Sequence, residues 1–322
     1  MAGGTGGTGG TGAVGGIPTR MVVHALVRED GTVEGGELYE VAGLLGMTDQ
    51  QVRLCVKRLV TEGRFTVAGR GRRAVLHLAG AAGPTGAAGP GLPLVPEVEF
   101  VRHAYRQDRG LEPWDGVWHA FAFAVPESAR AARDALRDAL TGLGAAPVQG
   151  GLYVTPHAIG PYVRARAAEL GLPEALSCLS TRDLVVGAAT DPRALAARLW
   201  PLPEIAARYE ALHALATGAR SAEDAAPGSA RADTVRPADG AGSANGAGPA
   251  DGAVAGLARA IALAAAFSAA MVPDPLLPPE LLPQPWAGAT ARAAAAAAWD
   301  RLAAAAPAEG PRLFRLYGEA LA

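Results

Sequence analysis

The chain has 322 residues, half of them apolar, and a formal net charge of −2, so it can bury the cores of two or three domains. With 42 Gly, 25 Pro and long Ala runs its apolar fraction packs small, and the near-neutral balance excludes a uniformly basic nucleic-acid coat. Cys55 and Cys178 form neither a disulfide framework nor a CxxC zinc pattern, which fits a reducing cytoplasm.

Residues 1–16 are a Gly/Thr repeat without the basic stretch and apolar core of a signal peptide. Within it, residues 10–15 match GxGxxG. No strand can precede them, so the glycines lack the strand–turn–helix setting in which they seat a pyrophosphate. Residues 80–96 and 217–252 are linkers rich in Gly, Ala and Pro, with too few large apolar groups to offset the entropy of ordering the backbone. The modules left between these segments are 17–79, 97–216 and 253–322.

The first module predicts three helices and a hairpin. Met21, Val22, Ala25 and Leu26 form one helical stripe over 18–28, and Leu38, Val41, Leu44 and Leu45 another over 36–45, which Gly46 ends. Thr48 and Gln51 then read as a capping box opening a helix over 49–61 that buries Val52, Val56 and Leu59. Gly63 closes it, and strands at 64–67 and 74–78 flank a glycine-rich basic tip, Gly69 to Arg73. This order is a winged helix-turn-helix. From Gln50 to Arg73 seven basic residues face Glu62 alone, a local charge pattern that suits a DNA-reading surface on an otherwise acidic chain. Thr48, Gln50, Gln51, Arg53, Lys57 and Arg58 are the candidate contacts on the third helix. Gln50, Arg53 and Lys57 lie opposite its buried stripe, where they can pair with base edges. Arg64, Arg70, Arg72 and Arg73 are the candidate phosphate contacts of the wing.

The second module predicts a strand over 117–125, a helix from Pro126 to Leu140, a strand over 148–155 and a helix over 161–170. Two short strands, 176–179 and 184–187, and two further helices, 192–200 and 203–215, follow. This approximates a ferredoxin-like sandwich, and the chain as a whole is read as α+β. The third module is helical. Its segment 253–272 is about long enough to span a bilayer, but it is rich in Ala and carries Arg259, so it reads as a core helix. A proline-rich run, 272–283, and a helix over 289–305 follow it.

Three stretches together carry a resemblance. They are Val52-Arg53 through the Gly-Arg-Arg wing, then Trp114-Asp115-Gly116 with Trp118 and on to Pro156, and last Asp274 to Pro283 with Trp286 and Gly288. In this combination and order the chain resembles the PaaX-type regulators, the phenylacetic-acid-degradation repressor family. The resemblance implies a cytoplasmic, homodimeric repressor that binds a double-stranded DNA operator and leaves it when an aryl-CoA thioester such as phenylacetyl-CoA binds. It also implies a middle fold like that of small CRISPR-associated nucleases, without their activity. The sequence departs from the family at 266–270, where an aromatic–Arg pair is usual and no arginine stands, and at His77, where Tyr is usual.

Trp118 and Trp286 are the candidates for an apolar effector pocket, the alternative for each being a place in the core. Asp115, Asp134 and Asp138 raise a second reading, a metal-dependent nuclease. Asp134 and Asp138 share a helix face with Arg130 and Arg137 at ion-pair spacing, which favours a salt-bridged surface. A third reading is a helical adaptor whose basic face binds an acidic protein. No GxSxG, HExxH or P-loop occurs, so no enzyme, cofactor or metal site is expected.

Overall fold

The computed structural model describes residues 16–80, 98–223, 249–307 and 310–321. The glycine pattern at 10–15, residues 81–96 of the first linker and residues 224–248 of the second lie outside them. The protein is α+β and divides into two compact units built from separated segments. One comprises Met1–Leu94, Ala244–Ala265 and Ala305–Arg315, the other Val95–Ser243, Ala266–Ala304 and Leu316–Ala322. Residues 253–322 are thus shared between the units.

The first unit opens with α1 (Thr19–Ala25), β1 (Thr32–Glu34), α2 (Gly35–Leu44) and α3 (Asp49–Thr61), followed by β2 (Phe65–Ala68) and β3 (Val75–Leu78). The strands form an antiparallel sheet in the order β1-β3-β2, with Val33 and Val67 both opposite Leu76. Val22, Leu26, Leu38, Val41, Val52, Leu59, Phe65 and Leu76 are buried together as its core. The strand β1 is not among the expected elements, because three residues are too few to show alternation. Leu44, expected on the buried stripe of α2, is instead 60 % exposed, since it falls on the helix's last turn beside Gly46. Val56 is only half-buried. The glycine-rich tip holds a 3₁₀ turn, Gly71–Arg73, entered through Gly69 at φ +84°, where a Cβ would press on the Arg73 carbonyl.

The second unit begins with α4 (Val98–Asp108), which is absent from the elements expected from sequence. It continues through β4 (Trp118–Phe123), α5 (Arg130–Gly142), β5 (Ala146–Gln149), β6 (Leu152–Thr155), α6 (Gly160–Glu169) and β7 (Leu176–Thr181). The expected strand over 148–155 is in fact a hairpin. Gly150 turns at φ +54°, and a Cβ on Gly151 would overlap the Phe123 carbonyl oxygen, so glycines are required where the chain reverses. The expected strand at 184–187 is a single bridge between Val186 and Ala189. The result is β-α-β-β-α-β connectivity with all-antiparallel order β5-β6-β4-β7, the ferredoxin-like arrangement. Phe121, Leu136, Leu140, Tyr153 and Val163 form the layer between sheet and helices. Burying Leu136 and Leu140 fully stabilises the packing by about 1.5–3 kcal/mol each. Trp118 and Ala120, on the opposite face of β4, are buried too, so this strand is covered on both sides.

Helices α7 (Pro192–Leu199) and α8 (Leu202–Glu223) follow, then α9 (Pro249–Met271), α10 (Ala287–Ala304) and α11 (Leu313–Leu321). The helices α8 and α9 run into both ends of the expected 217–252 linker, shortening it. α9 contains the one stretch among the described residues, Gly252–Met271, long and apolar enough to cross a membrane. More than half of it is buried within the protein, with Leu257, Ile261, Ala264 and Phe267 inside, as in a core helix.

Candidate nucleic-acid interface

The α3 helix is held at its start by the capping box read from the sequence. The Gln51 backbone N–H donates to Thr48 Oγ1 at 3.3 Å, and Thr48 N–H donates to Gln51 Oε1 at 2.8 Å. Thr48 and Gln51 are therefore engaged with each other at the helix start. Gln50, Arg53, Lys57 and Arg58 are all exposed, and Gln50, Arg53 and Lys57, spaced three and four apart, share one face of α3. Arg64, Arg70, Arg72 and Arg73 are exposed on the strands and tip that follow.

Carboxylates reach only some of these cations. Arg53 lies 3.7 Å from Asp49 one turn back, and Arg72 lies 4.0 Å from Glu40 with its guanidinium over the Tyr39 ring. Glu62, the only acid within the basic stretch, is taken up by Arg20 at 2.9 Å. Among the described residues, no carboxylate comes within ion-pair distance of Lys57, Arg58, Arg64, Arg70 or Arg73, so five positive side chains face solvent uncompensated. Burial first, then Arg20, Arg312 and Arg64, lowers the pKa of His24 to about 4, and its ring packs against Phe65. Cys55 is half-buried on α3, where burial pushes its thiol pKa up, away from a reactive thiolate.

In the second unit Trp118 and Trp286 are not brought together. Trp118 is 1 % exposed and packed between Trp114, edge-on at 5.1 Å, and Trp200, stacked at 6.2 Å, so it is a core residue. The Trp114-Asp115-Gly116 stretch is the turn that sets it there. Asp115 Oδ1 accepts from Val117 N–H at 2.9 Å, and Gly116 sits at φ +78°. Trp286 does line a cavity, one of about 280 Å³ in which Trp118 takes no part. Gly288 is needed beside it, because a Cβ there would overlap the indole Nε1.

Beneath that cavity lies a charge network that no sequence motif announces. Arg292 on α10 is 3 % exposed and forks onto Asp108 at 2.6 and 2.7 Å. It also donates to Tyr209 Oη at 2.9 Å and lies 3.7 Å from Asp274, while Tyr209 donates to Asp274 at 2.5 Å. Burial raises the carboxyl pKa of Asp274, against the pull of Tyr209, the Leu276 N–H and Arg292. Burial also opposes the Arg292 charge, but the Asp108 hydrogen bonds and the neighbouring Tyr209 and Asp274 more than compensate and raise its pKa. The network pins the proline-rich run. Asp274 Oδ1 accepts from Leu276 N–H, Gln107 donates to the Leu276 carbonyl, and His157 Nε2 meets the Pro275 carbonyl at 2.9 Å. Asp134, one of the nuclease candidates, is surrounded by Arg130, Arg133 and Arg137, and among the described residues no cluster of His, Cys, Asp and Glu could hold a metal.

The ferredoxin-like sandwich is of a Cas2-like class: residues 111–196 match the family model for the PaaX protein central Cas2-like domain. Residues 250–309 match that of the PaaX-like protein C-terminal domain, and the chain belongs to the PaaX-type regulator family. Among solved structures it is similar to an uncharacterized protein, Rv0674, from Mycobacterium tuberculosis, at 22 % identity over 84 % of this chain and 89 % of that one, with a TM-score of 0.41. No curated protein matches the chain.

Proposed function

We propose that residues 17–79 are a winged helix-turn-helix domain and that the protein is a cytoplasmic transcriptional regulator, a homodimer whose two α3 helices enter successive major grooves of an inverted-repeat operator. The observation that carries this reading is the capped α3 with its exposed Gln50, Arg53 and Lys57 beside a wing whose arginines are largely uncompensated. In it, Gln50, Arg53 and Lys57 pair with base edges, and Arg58, Arg64, Arg70, Arg72 and Arg73 hold phosphates. DNA is bound and released, not cleaved.

The family implies repression relieved by an aryl-CoA thioester. The cavity beside Trp286 suits only the aryl end of such a ligand. Its lining holds Asp108, Glu112, Asp274 and Glu280 with Arg292 as the one cation, and that arginine is already forked onto Asp108, so no free cation lines the cavity to hold the CoA phosphates.

Fluorescence anisotropy with duplex DNA from upstream of the protein's own gene tests the reading. Selective binding, intact DNA after incubation with Mg²⁺, and release by phenylacetyl-CoA but not by free CoA are expected. Weak, non-selective binding that disappears by about 200 mM salt would show a general polyanion surface instead.

A further inference from the structure

A second cavity, of about 320 Å³, lies within the first unit between α3 and the wing. Leu38, Ala74 and Leu76, all buried, form part of its floor with the half-buried Val56, and Val60 and Val67 stand at its side 40 % and 41 % exposed. Three cations, Arg53, Lys57 and Arg70, rim it, and no carboxylate lines it. Arg53 has Asp49 at 3.7 Å; among the described residues no carboxylate comes within ion-pair distance of Lys57 or Arg70. An apolar floor beneath a cationic rim selects a molecule with one hydrocarbon end and one anionic end. A neutral lipid would leave the cations unanswered, and a bare phosphate or a sugar-phosphate backbone would leave Val56, Val60 and Val67 in contact with water.

We infer that this cleft binds a free carboxylic acid with a medium-length apolar tail, its carboxylate held by Lys57 and Arg70. Because the same side chains are the proposed DNA contacts, the bound acid competes directly with DNA. That consequence rests on the DNA-binding reading; the binding of the acid does not.

Calorimetry on the full-length protein without DNA provides the test, with decanoate as the probe beside methyl decanoate and decyltrimethylammonium. Decanoate is expected to bind saturably, one per chain, below its micelle concentration. The ester and the cation should bind at least about tenfold more weakly, since each lacks the charge-assisted contact. Lys57→Gln with Arg70→Gln should weaken decanoate by a similar factor. Val60→Gln, at a side chain already partly in solvent, should weaken it several-fold without disturbing the fold. Equal binding of acid and ester, unchanged binding in both variants, or no saturable heat would overturn the site. In the DNA titration, decanoate should raise the apparent Kd in step with its occupancy; DNA binding unmoved by saturating decanoate would overturn the competition. Decanoate binding by a protein that binds no DNA would keep the site and remove the regulatory reading, while selective DNA binding without decanoate binding would do the reverse.

Discussion

The two units use arginine in opposite ways. In the first, the arginines of α3 and of the strands and glycine-rich tip that follow it are exposed and mostly without a carboxylate, so their charge is available to an outside partner. In the second, Arg292 is buried, forked onto Asp108 and bonded to Tyr209, so its charge is consumed in holding α4, α8, α10 and the Asp274 run together. The difference lies in solvation. An exposed cation is hydrated whether or not a ligand arrives, and its removal costs the fold little. A buried cation has lost its water and depends on each partner, as those partners depend on it.

Breaking the buried side should give the largest effect. Arg292→Met strands Asp108 and Asp274 without their cation and is expected to lower stability by about 3–5 kcal/mol in urea unfolding, without a direct effect on the α3 face. A fall under about 1 kcal/mol would mean that the network is dispensable. The next effect concerns pH. Burial lowers the pKa of His157 from 6.5 to about 4, with the neighbouring charges of His103 and His119 acting the same way and the Pro275 carbonyl opposing. The unfolded chain therefore takes up this proton first. The contribution, up to about 3 kcal/mol, is complete above pH 6.5 and is lost as pH falls towards 4. In His157→Gln the urea midpoint should fall less steeply across that window; an unchanged slope would remove His157 from the acid response.

On the exposed side the expected changes are smaller and appear in DNA binding. Arg53→Ala should cost about 1–3 kcal/mol on the operator and little on random DNA, with the urea midpoint nearly unmoved. An equal cost on both DNAs would make Arg53 a phosphate-holding residue. Alanine at Arg72 and Arg73 should weaken both DNAs alike and flatten the salt dependence by about one unit for each phosphate no longer neutralised. The Arg72 effect should be the smaller of the two, since Glu40 and Tyr39 already hold that guanidinium.

What could be read in advance followed the range of the interactions. The span of α3, Asp49–Thr61, with its Thr48–Gln51 box, is written in residues within one or two turns of each other. So are the glycine ends of α2 and α3 and the basic tip. The helix α4 is equally legible, through Val98 and Val101 with Ala104 and through the Glu99–Arg102 pair. It stands directly behind a proline-rich stretch that reads as linker, and that masks it together with Gln107 and Asp108. The hairpin in 148–155 is hidden because two four-residue strands joined at Gly150-Gly151 look like one longer strand.

By itself, the sequence determined the local elements, the concentration of positive charge between Arg53 and Arg73, and the motifs that carry the family, because each depends on neighbours along the chain. Only the tertiary structure decided which charges remain free. Asp108 and Arg292 are 184 positions apart, and their pairing exists only once four separate segments have closed around them and excluded water. It also decided that Trp118 belongs to a core and Trp286 to a cavity, since what a tryptophan does depends on the surfaces that long-range packing lays against its ring.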